Sequence, residues 1–151
     1  MTINTTFEDL PKLAGTETGV SDWVEITQDR INGFAQATGD HQWIHVDVER
    51  AARELPGGKT IAHGYLTLSL IPWLAGDFLH IEGLTRGINY GSNKVRFTNM
   101  VPVGSRVRAR CKMLSAEPRA GGMQIINEVT IEIDGQARPA CVAETISLVY
   151  R

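Results

Sequence analysis

A chain of 151 residues, 42% hydrophobic and 21% charged, is long enough to bury a substantial core, and one domain over residues 1–151 is expected. Its formal net charge of −2 leaves no electrostatic footprint for nucleic acid. Residues 1–10 lack the basic and apolar parts of a secretory signal, and no apolar run is long enough to span a membrane, so a cytoplasmic protein is expected.

In chain order, residues 7–13 fit a short helical turn and 15–19 a turn-rich connector, before a short strand over 23–26 carried by Trp23, Val24 and Ile26. Thr27 suits a helix N-cap, Ile31, Phe34, Ala35 and Thr38 recur at helical spacing, and Gly39 suits the position past the end, which predicts a helix over Gln28–Thr38. A polar loop then carries Asp40 and His45. Asp47 caps a further short helix, and residues 55–58 form a turn.

Residues 61–75 are apolar on nearly every side, the pattern of a helix enclosed by other elements, and would run about 20 Å. Pro72 would kink or end that helix, because it has no N–H and clashes with the preceding turn. Beyond Gly76 the period becomes two. Strands are expected over 88–97, over 107–113, over 123–133 and over 140–150, with Gly121-Gly122 and Asp134-Gly135 as turns. Short turns imply antiparallel pairing. The expected architecture is therefore α+β: an antiparallel sheet of about five strands wrapped around one central apolar helix, a hot-dog fold.

A carboxylate and an imidazole five residues apart, Asp40 and His45, can reach one water and move its protons. The first amides of a helix lack internal partners, so the N–H of Gly64, with no side chain in the way, suits a developing oxyanion such as a thioester carbonyl becoming an enolate. His63 is expected to hold the loop by hydrogen bonds, and His41 and His80 to lie on the surface. No compact metal-ligand motif is present, and no metal is expected. Cys111 and Cys141 lie in apolar strand-like runs and read as buried free thiols. Arg106, Arg108, Arg110 and Lys112 read first as the solvated face of a strand. With Lys94 and Arg96 they are also the cations available to a phosphorylated ligand.

The segment Phe34-Ala-Gln-Ala-Thr-Gly-Asp40-His-Gln-Trp-Ile-His45-Val-Asp, followed by Ile61-Ala-His-Gly-Tyr-Leu-Thr, resembles the hydratase motif of the MaoC-like, or R-specific enoyl-CoA hydratase, family. Gln42-Trp43, together with Ile88-Asn-Tyr-Gly-Ser-Asn-Lys-Val-Arg-Phe97, is similar to the nodulation-protein-N-like branch and its mycobacterial hydratases. The resemblance implies a homodimer that adds water to a trans-2-enoyl-CoA to give the R-3-hydroxyacyl-CoA, with no metal or redox cofactor. Carried over, Asp40 and His45 match the catalytic pair and Gly64 the amide that polarises the thioester carbonyl. Asn89, Tyr90 and Asn93 are then candidates to line the pocket, with structural hydrogen bonding as the alternative. The sequence departs from the family at Gln42 and Trp43, where the commoner motif has Asn-Pro and where the loop must be braced differently, and at Pro72, where some members have serine in the site.

Two other functions suit the same fold: thioester hydrolysis, and a non-catalytic acyl-thioester-binding subunit paired with another chain. Both acid–base residues are present, which argues against the second, and thioesterases on this fold usually carry a carboxylate in the helix instead of this loop motif.

Overall fold

The computed structural model describes residues Met1–Arg151. The strand β1 (Ile3–Thr5) and a 3-10 turn at Leu10–Leu13 precede β2 (Glu17–Val20) and β3 (Val24–Glu25). Three helices follow: α1 (Gln28–Thr38), α2 (Trp43–Val46) and α3 (Val48–Glu54). The central segment is α4 (Gly64–Ser69) and α5 (Ile71–Leu74), after which come β4 (Leu79–Ile81), β5 (Arg86–Phe97), β6 (Arg106–Arg119), β7 (Gly122–Ile133) and β8 (Cys141–Tyr150).

The helix boundaries follow from local chemistry. The Thr27 side chain accepts the Arg30 N–H at 3.2 Å, and Gly39 closes α1 with a left-handed φ of 83°, its N–H bonded to the Ala35 carbonyl. Ile31 and Ala35 bury the inner face of α1. Asp47 caps α3 in the same way, accepting from the Arg50 N–H at 3.0 Å.

The main sheet is antiparallel in the order β2-β6-β7-β8-β5, with β3 also paired to β6. It has six strands, one more than the sequence distinguishes, because Glu17–Val20 pairs with β6 although its glycine and polar residues read as a connector. A second pair, parallel β1 and β4, was not foreseen: both strands are three residues long, too short for a periodic signal. Alternation along β6 and β7 is as expected. Val107, Ala109, Cys111 and Met113 face inward, while Arg106 pairs with Asp134, Arg108 and Arg110 with Glu132, and Arg110 also with Glu17. Those arginines are therefore neutralised across the outer face of the sheet.

The helix expected over 61–75 is corrected at its start and in its surroundings, while it is interrupted near Pro72 as that residue implies. It begins only at Gly64, since Ile61 bridges to Pro102 and the Ala62 N–H bonds the Val101 carbonyl, and it breaks at Leu70 with Pro72 in the first turn of the second piece. Nor is it enclosed all round. Leu66, Leu70, Ile71 and Leu74 are buried against the sheet, each worth about 1.5–3 kcal/mol of transfer free energy, but Tyr65, Ser69, Pro72 and Trp73 form an exposed stripe at helical spacing. The main core, eighteen buried residues, lies between this split helix, α1 and the sheet; a cluster of eight around Phe7, Leu10 and Met113 closes the other end. No helix is long and apolar enough to cross a membrane.

Candidate functional site

His63, the residue before α4, ties the site together. Its Nε2 lies 3.0 Å from the Asp40 carbonyl, its ring stacks on His45 at 3.8 Å between centroids, and Phe34 packs on it at 4.9 Å. A carbonyl only accepts, so Nε2 carries the proton that His63 donates there, and Nδ1 is buried with no partner. The expectation that His63 holds the loop agrees with this contact.

His45 is fixed the same way. Its Nδ1 lies 2.6 Å from the Ile61 carbonyl and must donate to it, which leaves Nε2 as the acceptor of the neutral ring. Burial pushes its pKa below the ordinary imidazole value; the Ile61 bond opposes that shift, and the neighbouring His63 adds to it. The loop backbone is held from α1 by Gln28, whose Nε2 donates to the His45 carbonyl at 2.8 Å while its Oε1 accepts from the buried Thr60 hydroxyl at 2.6 Å. Sequence reading missed both. Gln28 opens a predicted helix at a polar position, and nothing in its spacing signals a contact seventeen residues away.

Asp40 follows the Gly39 turn and is exposed; its Oδ1 accepts the Gln42 N–H at 3.3 Å, a local turn that aims the carboxylate. Gln42 thus braces the loop through its backbone, and Trp43 through Arg50, whose guanidinium lies 4.0 Å from the indole ring. Asp40, His45 and His63 each present a ligand-type atom within 4.8 Å of the others, which brings the two halves of the sequence motif together although they contain no compact metal-ligand spacing. Gly64 adjoins this cluster. A Cβ at Gly64 would stand 3.0 Å from the Phe97 ring, so the strand β5 and the start of α4 approach more closely there than a side chain comfortably permits.

The other predicted residues divide. Asn89 lines a cavity of about 710 Å³ between the split helix and strands β5, β7 and β8. Tyr90 and Asn93 do not line it: the Tyr90 hydroxyl accepts from Arg119 at 3.0 Å, and Asn93 donates to Glu144 at 3.0 Å. Lys94 and Arg96 are exposed on β5, Arg96 donating to the Val95 carbonyl. His41 and His80 are exposed, and burial raises both thiols, Cys141 to about 11. Asp40, His45 and Gly64 stand outside the cavity lining, which starts on the helix at Leu68 and continues through Ser69, Ile71 and Pro72.

An imidazole pair and a carboxylate thus gather at the start of α4, next to Gly64. The MaoC like domain model matches residues 9–135. The chain belongs to the MaoC-like family. A 3-hydroxyacyl-thioester dehydratase Z from Mycobacterium tuberculosis is 54% identical over 145 residues, covering 93% of this chain and 95% of that protein. Nodulation protein N of Rhizobium leguminosarum bv. viciae is 45% identical, covering 93% of this chain and 89% of its own. Among solved structures, the R-hydratase PhaJ1 from Pseudomonas aeruginosa aligns with a TM-score of 0.70 at 22% identity, over 91% of this chain and 82% of that one. That likeness bears on the fold: this MaoC-like chain has the hot-dog arrangement of sheet around helix.

Proposed function

We propose that the chain is an R-specific enoyl-CoA hydratase, a hydro-lyase that reversibly adds water to a trans-2-enoyl thioester to give the (R)-3-hydroxyacyl thioester, and that residues 1–151 act as one unit. The observation that carries this reading is the His63-centred cluster, in which the His45 ring and the Asp40 carboxylate converge on the residue that immediately precedes Gly64.

In this mechanism a water sits between Asp40 and His45. Its oxygen bonds to the β-carbon as His45 Nε2 takes one of its protons, while Asp40 orients the other and supports the imidazolium. The π electrons move toward the thioester oxygen, and the Gly64 N–H donates to the enolate. The imidazolium then returns its proton to the α-carbon on the same face. Because Nδ1 is committed to Ile61, the tautomer favours His45 as the base, with Asp40 as its partner. General acid–base work supplies about 10²–10⁴-fold and one oxyanion donor about 10²–10³-fold. The steps call for no metal or redox cofactor.

The acyl chain would follow the exposed helix stripe toward the cavity, with Lys94 and Arg96 as the cations available to the nucleotide phosphates of coenzyme A. A homodimer belongs to the same proposal. The twelve-residue β5 pairs only with β8, leaving a free edge, and Ile88, Tyr90, Phe97, Tyr65 and Trp73 are all exposed in the single chain. A cytoplasmic location fits an enzyme of coenzyme A thioesters.

The test is the loss of conjugated-thioester absorbance when the protein meets trans-2-enoyl-CoA substrates, with sedimentation equilibrium on the same sample. Hydration by a species twice 16.6 kDa is expected. Release of free thiol without hydration would replace the reading with thioester hydrolysis, and a monomer would remove the dimer.

A further inference from the structure

The inner face of the main sheet is apolar except in one band. In the cross-strand row Val129, Ala143 and Val95 every side chain is apolar, and the row of Met123, Val149 and Gly87 carries no polar side chain either. Between them lie the row Asn127, Thr145 and Ser92 and the row Ile125, Ser147 and Asn89, five polar side chains in six positions. All six residues line the cavity beside the split helix, opposite Ser69. Asn127 occupies an inward position on β7 flanked by buried Ile125 and Val129, yet its Oδ1 is shut off from solvent and has no hydrogen-bond partner. A buried amide without a partner costs stability, and a band of hydroxyls and amides is a poor lining for an alkyl chain.

We propose, resting on the hydratase reading, that this cavity selects enoyl thioesters whose acyl chain bears a hydroxyl near its far end, and that Asn127 is the residue that recognises it. Asn127 lines the cavity while its Oδ1 is closed off, so the amide nitrogen is the atom left to donate to that hydroxyl, and the hydroxyls of Thr145 and Ser92 in the same row can accept from it. Helix rise places Ser69 and Pro72 roughly 8–12 Å along the axis from Gly64. A four-carbon acyl group held at Gly64 stops short of the band, and a chain of medium length reaches it. An unsubstituted chain of that length leaves the band's polar groups unpaired, the condition under which a site built for a hydroxyl discriminates most strongly.

The experiment compares trans-2-decenoyl-CoA with its terminally hydroxylated counterpart, using wild type, Asn127→Leu and Thr145→Val, and crotonyl-CoA as the substrate too short to reach the band. Wild type should favour the hydroxylated chain in kcat/KM by roughly tenfold or more. Asn127→Leu should abolish that preference and raise the melting temperature. Thr145→Val should weaken the preference in a protein that keeps its fold if Asn127→Leu does not. Binding of decanoyl-CoA and terminally hydroxylated decanoyl-CoA, followed by calorimetry, reads the same preference without catalysis. Failure to hydrate any of the three thioesters would therefore sink the hydratase reading while the binding pair still judged the band. Equal affinity and equal kcat/KM for the two chains, or a preference that survives Asn127→Leu, would overturn the proposal.

Discussion

His45 and His63 stack with their centroids 3.8 Å apart and their planes 25° from parallel, each with one ring nitrogen committed to a backbone carbonyl, Ile61 for the first and Asp40 for the second. The neighbouring His63 adds to the burial that lowers the His45 pKa, and so helps keep the Nε2 of His45 ready to accept a proton.

The pair Asp40 and His45 is expected to fail unequally on folding and equally on chemistry. Asp40→Asn and His45→Gln should each lower kcat by about 10²–10⁴-fold. Asp40 is exposed, so Asp40→Asn should melt close to wild type, whereas His45→Gln forfeits the Ile61 bond and should lose about 1–2 kcal/mol. Thermal melts beside the absorbance assay check both, and an active His45→Gln enzyme would remove His45 from the mechanism.

The pH profile carries the sign of the His45 shift. Its folded pKa lies below the unfolded value of about 6.5, so between the two the unfolded chain binds more protons than the folded one. Its contribution to stability is present above that unfolded value and is lost as pH falls toward the folded pKa. The acid limb of kcat/KM should therefore lie below pH 6.5, and the urea midpoint should decline over the same interval. A limb at or above the ordinary imidazole value would mean that another group governs the rate.

Gly64→Ala tests the oxyanion donor through its neighbour. The added methyl meets the Phe97 ring at 3.0 Å, and Phe97 is 45% exposed, so the ring has room to give and the fold should survive. A fall in kcat of about 10²-fold is expected from a displaced donor. Adding Phe97→Ala should restore part of the rate by relieving the contact, which a purely local backbone defect would not allow.

Gln28 is expected to act at a distance. Gln28→Leu removes the donor to the His45 carbonyl and strands the Thr60 hydroxyl, 1% exposed, at a cost of about 1–3 kcal/mol. The loop bearing His45 would loosen, lowering kcat with little change in KM. Steady-state kinetics on crotonyl-CoA and a denaturant titration separate the two effects.

What the sequence made legible was whatever repeats or caps. The Thr27 and Gly39 signals give α1 to the residue, and two-fold alternation gives β6 and β7, because each depends on local geometry that recurs along the chain. The motif also brought Asp40, His45 and Gly64 to one place. Hidden were the contacts made by single polar residues across long loops, such as Gln28 with His45, and the start of the helix only at Gly64, which the apolar run from Ile61 conceals; the break at Leu70 was signalled by Pro72 to within two residues. Tyr90 and Asn93 show the converse: they sit in a stretch that resembles the family, yet they turn to Arg119 and Glu144.

The break at Leu70 divides labour along one short stretch of chain. The piece beginning at Gly64 starts at the Asp40, His45 and His63 cluster, whereas Ile71 and Pro72 of the second piece line the cavity. A substitution at the exposed Pro72 changes that lining while leaving the three residues of the cluster as they are. Substrate range is thereby free to drift over evolutionary time while the proton chemistry stands still.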